Sequence, residues 1–255
     1  MTEFLPLLIV TYFEPFDGRS GNRSETLARE LSKKPELTER FSAVRLCRVP
    51  VVYDAAPRIA LDCIRTPEGA SIGTATRPWV LSLGEWKGES LRIETAAHNR
   101  DHAPNQPDND GKTRSESPIL PGGEPSLGFR FPMTELFSSP KLRSLSPRVS
   151  PSPGGFLCNH LAYHLTRELA HDDTPFLFVH TGYEDSRPVP SEANALAEAL
   201  SLAALAPNLP DRNPVSRSEI DSMLGAESEP GEDLRWWLSR LRSNLTPSGS
   251  GESLK

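Results

Sequence analysis

The sequence predicts an α/β fold, a mostly parallel sheet with helices on both faces. Three observations lead there. A short β-branched and aromatic run near the start feeds directly into a stretch of helical spacing. That strand-then-helix order repeats, which is how parallel strands are joined by crossovers. The chain has 255 residues, enough to bury the core of one large domain without staples.

The elements follow in order. "LPLLIVTYF" reads as a buried strand, and "NRSETLARELSKK" as a helix through Leu27, Ala28 and Leu31. "FSAVRLCRVPVVY" alternates as a second strand, "DAAPRIALDCIRT" returns to helical spacing, and "RPWVLSLG" is a third strand ending at Gly84. "LRIETAAHN" is a further strand, with Glu94 set between Ile93 and Thr95. From Arg100 to Ser150 the chain turns rich in Pro, Gly, Ser and Asn, so an elaborate loop over the sheet's end is expected, with only "MTELF" and "LRSL" locally ordered. After Gly154 and Gly155, Leu161, Leu165 and Leu169 mark a helix, "TPFLFVH" is a strand stopping at His180, and "PSEANALAEALSLAALA" is a helix ended by Pro207. Residues 1–206 are read as the domain and 207–255 as an extension: a linker, the short amphipathic helix "DLRWWLSRLRSN" with Trp236 and Trp237, and a flexible tail.

Composition narrows the function. A net charge of −6 repels phosphate backbones, and no basic stripe is interleaved with aromatics, so nucleic acid is not expected as a partner. The apolar run in "MTEFLPLLIVTYF" is too short to span a bilayer and lacks a basic start, so neither a membrane nor a secretory route is expected, and cytoplasmic residence is the default. The three cysteines form no CxxC; Cys47 and Cys63 lie among apolar neighbours and read as reduced core residues.

Cys158 differs. Glycines precede it and a helix starts at it, so free amides and the positive end of the helix dipole are expected to lower its pKa and to offer an oxyanion site. A base is needed, and His180 ends the next strand, 22 positions on. Catalytic groups gather at the carboxyl ends of strands in such sheets, and Glu94 would orient the imidazole. Position alone is equally consistent with Cys158 as a packed thiol on the helix's buried face, and taken alone it favours His180 as a hydrogen-bonded histidine at a strand end. A carboxylate inside an apolar strand, in contrast, must be paired or lie at an edge.

Two rivals use the same residues less well. Cys158, His160 and His164 supply sulfur and nitrogen, but no HExxH glutamate and no second cysteine stand nearby, so no metal is expected. "DGKTRS" lacks the first glycine of a phosphate loop and follows no strand, so no nucleotide cofactor is expected either.

Four blocks in order carry a resemblance: "VTYFEPFDGRSGNRS", "VPVVYDAA", "LRIETAAHN" with Glu94, Ala97 and Asn99, and "SPSPGGFLCNHLAY" with Ser150, Ser152, Gly154, Phe156, Cys158 and Asn159; "FLFVH" follows them. The chain resembles the pyroglutamyl peptidase I (pyrrolidone-carboxylate peptidase) family of cysteine peptidases over about its first 185 residues. The resemblance implies a three-layer αβα sandwich, a thiol peptidase acting on a peptide or small amide through a thioester, no cofactor, cytosolic residence and often a homotetramer. It implies that Cys158 attacks, His180 is the base, Glu94 orients it, and Phe13, Phe16 and Phe156 wall the flat lactam ring.

Some positions depart from the family's pattern. Tyr12 and Asp17 stand for glycines in the opening loop, expected to add bulk and charge at the pocket. Glu85 stands for a glutamine, Pro153 enters the cysteine loop, and the arginine before Pro107-Asp108-Asn109 is absent, leaving Arg100 as the nearby candidate. Two other readings therefore stay open: a family member retired to binding, and an amidase using the same three groups on another acyl group.

Overall fold

The computed structural model describes residues 5–66 and 77–206. Pro207, "DLRWWLSRLRSN" with Trp236 and Trp237, and the tail lie outside the described residues.

Strand β1 (Leu7–Phe13) leads to α1 (Arg23–Leu31), α2 (Pro35–Thr38), β2 (Ala43–Val49), α3 (Ala56–Arg65) and β3 (Trp79–Trp86). Then come β4 (Arg92–Glu94), β5 (Ala96–His98), β6 (Asp101–Ala103), β7 (Arg114–Ser117), β8 (Ser126–Gly128), α4 (Met133–Leu136), α5 (Pro140–Ser144) and β9 (Arg148–Ser150). Helix α6 (Leu157–Leu169), β10 (Phe176–Gly182) and α7 (Val189–Ala203) complete the fold.

The main sheet has six strands in the order β2-β1-β3-β10-β4-β9. All neighbours are parallel except β10 and β4. The expected mostly parallel sheet is present. β3 and β10 each run two residues beyond the expected ends at Gly84 and His180.

Period-two alternation divides β1 between two cores. Leu8, Val10 and Tyr12 face one side with Leu81, Leu83, Leu177 and Val179, covered by α1, α4, α5 and α7. Ile9 and Phe13 face the other with Val80, Phe176 and Phe178, covered by α3 and α6. The result is the αβα sandwich. Helix α1 starts where the sequence places it because Asn22 caps it, its side chain accepting from the Ser24 amide at 3.0 Å.

The region 100–150 is less irregular than expected. Within it β6 pairs with β7, β8 pairs back to β5, and β9 joins the edge of the main sheet.

Cys47 and Cys63 require a correction. They form a disulfide, 6.1 Å between Cα atoms, tying the edge strand β2 to α3. The return of the chain from strand to helix brings them together, a proximity that a separation of 16 residues does not announce. Cys63→Ser in the oxidised protein is expected to lose about 3 kcal/mol of stability, as for other loops of that length, measured by denaturant unfolding. An unchanged midpoint would show the bond to be stability-neutral.

Candidate active site

Two strands place Glu94 and His180 on the α6 face of the sheet. His180 in β10 is paired across the ladder with Gly84 on one side and Arg92 on the other, while Glu94 lies opposite Phe178. Because alternate residues share a face, Arg92, Glu94, Phe178 and His180 project together. His180 Nδ1 and Glu94 Oε1 are hydrogen-bonded at 2.6 Å, and both side chains are buried.

Cys158 enters from above. It is the second residue of α6, whose N-cap is Phe156, so its amide and that of Leu157 have no helical carbonyl to donate to. The sulfur and the imidazole flank Gly84: a Cβ built on that glycine would stand 3.0 Å from Cys158 Sγ and 3.0 Å from His180 Cδ2. Glycine is required there because any side chain would occupy the space in which sulfur and ring approach each other.

The electrostatics correct one expectation. The helix start does not leave a lowered thiol: burial, reinforced by the negative charge of Glu94, pushes the Cys158 pKa up to about 12. Burial also lowers His180, against the opposing pull of Glu94. Both shifts favour the neutral thiol and the neutral imidazole. His180 Nδ1 is committed to Glu94, so Nε2 is the ring nitrogen left to exchange a proton with a neighbouring group.

Above these groups lies a cavity of about 590 Å³, whose walls include Phe13, Phe16, Phe156, Cys158 and His180. The Phe16 and Phe156 rings stand 6.0 Å apart, and Tyr53 supports Phe156 edge-on at 5.7 Å. All three expected aromatics thus reach one cavity. Asp17 also lines it, at φ 57°, a left-handed conformation that aspartate tolerates where glycine is free. Pro153 is on the wall as well.

Two departures fall elsewhere. Tyr12 points to the opposite core beside Leu8 and Val10, so it adds no bulk to the cavity; the alternation of β1 decides this. Arg100 is paired with Glu116 at 3.3 Å and lines a second cavity, so it places no cation beside the sulfur. Glu85 does line the main cavity, but its carboxylate meets Arg19 at 2.7 Å, and Arg19 in turn stacks over Phe16 at 4.5 Å. The wall there is an ion pair, not a bare charge.

His160 Nδ1 bonds Asp101 at 2.9 Å, and among the described residues no three of His, Cys, Asp or Glu converge as a cation site. Asn159 serves structure, bridging the His98 amide and the His98 and Arg100 carbonyls at 2.8 Å each, which locks α6 to β5.

The comparisons with known proteins coincide with this geometry. Residues 7–202 match the family model described as pyroglutamyl peptidase. The chain belongs to the pyroglutamyl peptidase family. Among curated relatives, the pyrrolidone-carboxylate peptidase of Gloeobacter violaceus is 30% identical over 181 residues, covering 69% of this chain and 81% of that protein. That of Clavibacter michiganensis is 28% identical over 70% of this chain and 79% of that protein. The crystal structure of pyroglutamyl peptidase I from Bacillus amyloliquefaciens superposes with a TM-score of 0.67, covering 79% of this chain and 96% of that one at 22% identity, a likeness of fold. Pyrrolidone carboxyl peptidase from Thermus thermophilus gives 0.62 at 28% identity, covering 76% and 99%.

Sequence reasoning missed Arg92 and Arg19 on the cavity wall of this pyroglutamyl peptidase family member. For Arg92 a signal existed: it stands two residues before Glu94 in a strand, hence on the same face. Arg19 lies in a loop, where no period could point to it. Among the described residues no helix is long and apolar enough to cross a membrane.

Proposed function

We infer that this pyroglutamyl peptidase family member removes an N-terminal pyroglutamyl residue from peptides through Cys158, with His180 as base and Glu94 as its orienting partner. The observation that carries the reading is the 2.6 Å Glu94–His180 bond set beside the Cys158 sulfur across Gly84, at the floor of an aromatic-walled cavity.

The chemistry balances within these groups. The Cys158 proton passes to His180 Nε2 as the sulfur bonds to the pyroglutamyl carbonyl carbon, and the carbonyl oxygen gains the negative charge. The free amides at the start of α6 are placed to donate to that oxygen. The tetrahedral species collapses, the C–N bond breaks, and His180 gives its proton to the departing amine, leaving a thioester. Water then attacks, His180 takes its proton, and pyroglutamate leaves as the thiol is restored. Glu94 holds Nδ1–H and stabilises the imidazolium that forms twice per turnover.

Phe13, Phe16 and Phe156 suit a flat, neutral lactam ring because rigid aromatic faces cover it without losing rotamer freedom. The Arg19–Glu85 pair keeps the wall polar yet electrically balanced. Residues 1–206 are the catalytic unit on this reading. Cytoplasmic residence and self-association belong to it as further proposals; the first would leave Cys47 and Cys63 as thiols, whereas the structure pairs them.

A panel of chromogenic amides tests the specificity. The pyroglutamyl amide is expected to be cleaved at least about 10²-fold faster than the ring-opened glutamyl, the prolyl and the acetyl amides, a ratio within reach of one shaped pocket. Faster cleavage of an acyclic member would assign the site to another acyl group.

A further inference from the structure

The oxygen that holds His180 is shared. Glu94 Oε1 accepts from His180 Nδ1 at 2.6 Å and from Arg92 Nε at 2.6 Å, while its buried Oε2 has no hydrogen-bond partner. Arg92 is fixed from two further directions. Its guanidinium lies 4.7 Å over the Trp86 ring, and its terminal nitrogen donates to the Ser152 carbonyl at 3.3 Å, in the loop that delivers Cys158. Trp86 is itself anchored, its indole nitrogen donating to the Ser90 carbonyl at 2.8 Å.

We propose that Arg92, clamped on Trp86, is a positioning residue that holds Glu94 against His180 and, by balancing the carboxylate's charge, sets the pH window in which Cys158 and His180 share one proton. The inference rests on the catalytic roles proposed above. It follows from what a buried carboxylate would do alone. An uncompensated Glu94 would bind the imidazolium too tightly and oppose a thiolate nearby; a guanidinium on the same oxygen weakens both effects.

The other charged groups facing the pair do not substitute for it. From β3, Glu85 is turned to Arg19; from β9, Arg148 stands over the Trp86 ring, at 5.6 Å; Lys87 lines the cavity. Arg92 acts on both members in one direction, disfavouring imidazolium and favouring thiolate, so it lowers both pKa values. Its removal must raise both together. The window then moves to alkaline pH as a unit, which a mere loss of packing would not do.

The test reads the thiol directly. Alkylation of Cys158 by iodoacetamide is followed by mass spectrometry across pH in the oxidised protein, alongside the pH profile of kcat/KM on the pyroglutamyl amide. In Arg92→Met the acid limb of each profile is expected to move up by about one pH unit, the low end of shifts produced by an adjacent charge. Arg92→Lys, which keeps the charge, is expected to restore the limbs but not the full rate, lacking the planar fork. Arg148→Met is expected to leave the limbs in place. Limbs of Arg92→Met at their wild-type positions, at whatever rate, overturn the proposal, and so does an equal displacement in Arg148→Met. Should Arg92→Met not fold, as judged by its thermal transition, Arg92→Gln takes its place, displaced limbs supporting the proposal and unmoved limbs overturning it. An alkylation window that moves in a protein without peptidase turnover would support the role of Arg92 and defeat the proposed activity, so the two failures are distinct.

Discussion

Cys158→Ala is expected to lower kcat/KM on a pyroglutamyl amide by about 10⁴-fold or more, the scale set by losing a nucleophile that acts as a unit with its base. Cys158 is the free cysteine among the described residues, and Cys47 and Cys63 are held in their disulfide. Without sulfur no acyl-enzyme forms, and what survives is the polarisation of the carbonyl by the amides at the start of α6. The substitution removes one partly accessible atom, so the thermal transition and the affinity for pyroglutamate are expected to stay close to wild type. Turnover that persists in a folded Cys158→Ala protein would remove Cys158 from the mechanism. Because the thiol sits at a pKa of about 12, held up by burial, Cys158→Ser is expected to be nearly as inactive. A hydroxyl is harder still to deprotonate, and a neutral His180 is a weak base for it.

Gly84→Ala is the second large effect, and it tests the geometry instead of the chemistry. The added carbon would stand 3.0 Å from Cys158 Sγ, 3.0 Å from His180 Cδ2 and 3.1 Å from Phe178 Cε1, tighter than ordinary van der Waals contact. None of these groups is free to yield. Phe178 is buried in the core, His180 is tied to Glu94 at 2.6 Å, and Cys158 rides on a helix. Sulfur and imidazole are therefore expected to be wedged apart, with a loss of about 10²-fold in kcat/KM, the cost of displacing reacting groups by about 1 Å. The overpacking itself costs roughly 1–3 kcal/mol of stability. Measured together, kcat/KM and the unfolding midpoint separate the two. Near-wild-type turnover in Gly84→Ala would show that proton transfer does not run across this glycine.

Much of this was readable from residue order. The first three sheet strands, α1, α3, α6 and α7 are long enough for a period of 2.0 or 3.6 to stand out, and the main-sheet strand β10 is an unbroken apolar run. The short strands β5 to β9 are not legible in the sequence, because three or four residues carry no period and their partners lie elsewhere in the chain. Helix α2, of four residues, was hidden for the same reason.

The site divides likewise. Cys158, His180 and Glu94 could be singled out from the chain because each sits where chemistry of its type needs a reason: a thiol at a helix start, an imidazole at a strand end, a carboxylate in an apolar strand. Their residue types and their places in the element order are local properties, carried by period and by turn residues. Whether Tyr12 faces the cavity or the far core, whether Arg100 or Arg92 stands beside Glu94, whether Cys47 meets Cys63, and which way burial moves the Cys158 thiol were decided only when the sheet was assembled. Contact and desolvation depend on distances between segments remote in sequence, and those distances exist only in the folded chain.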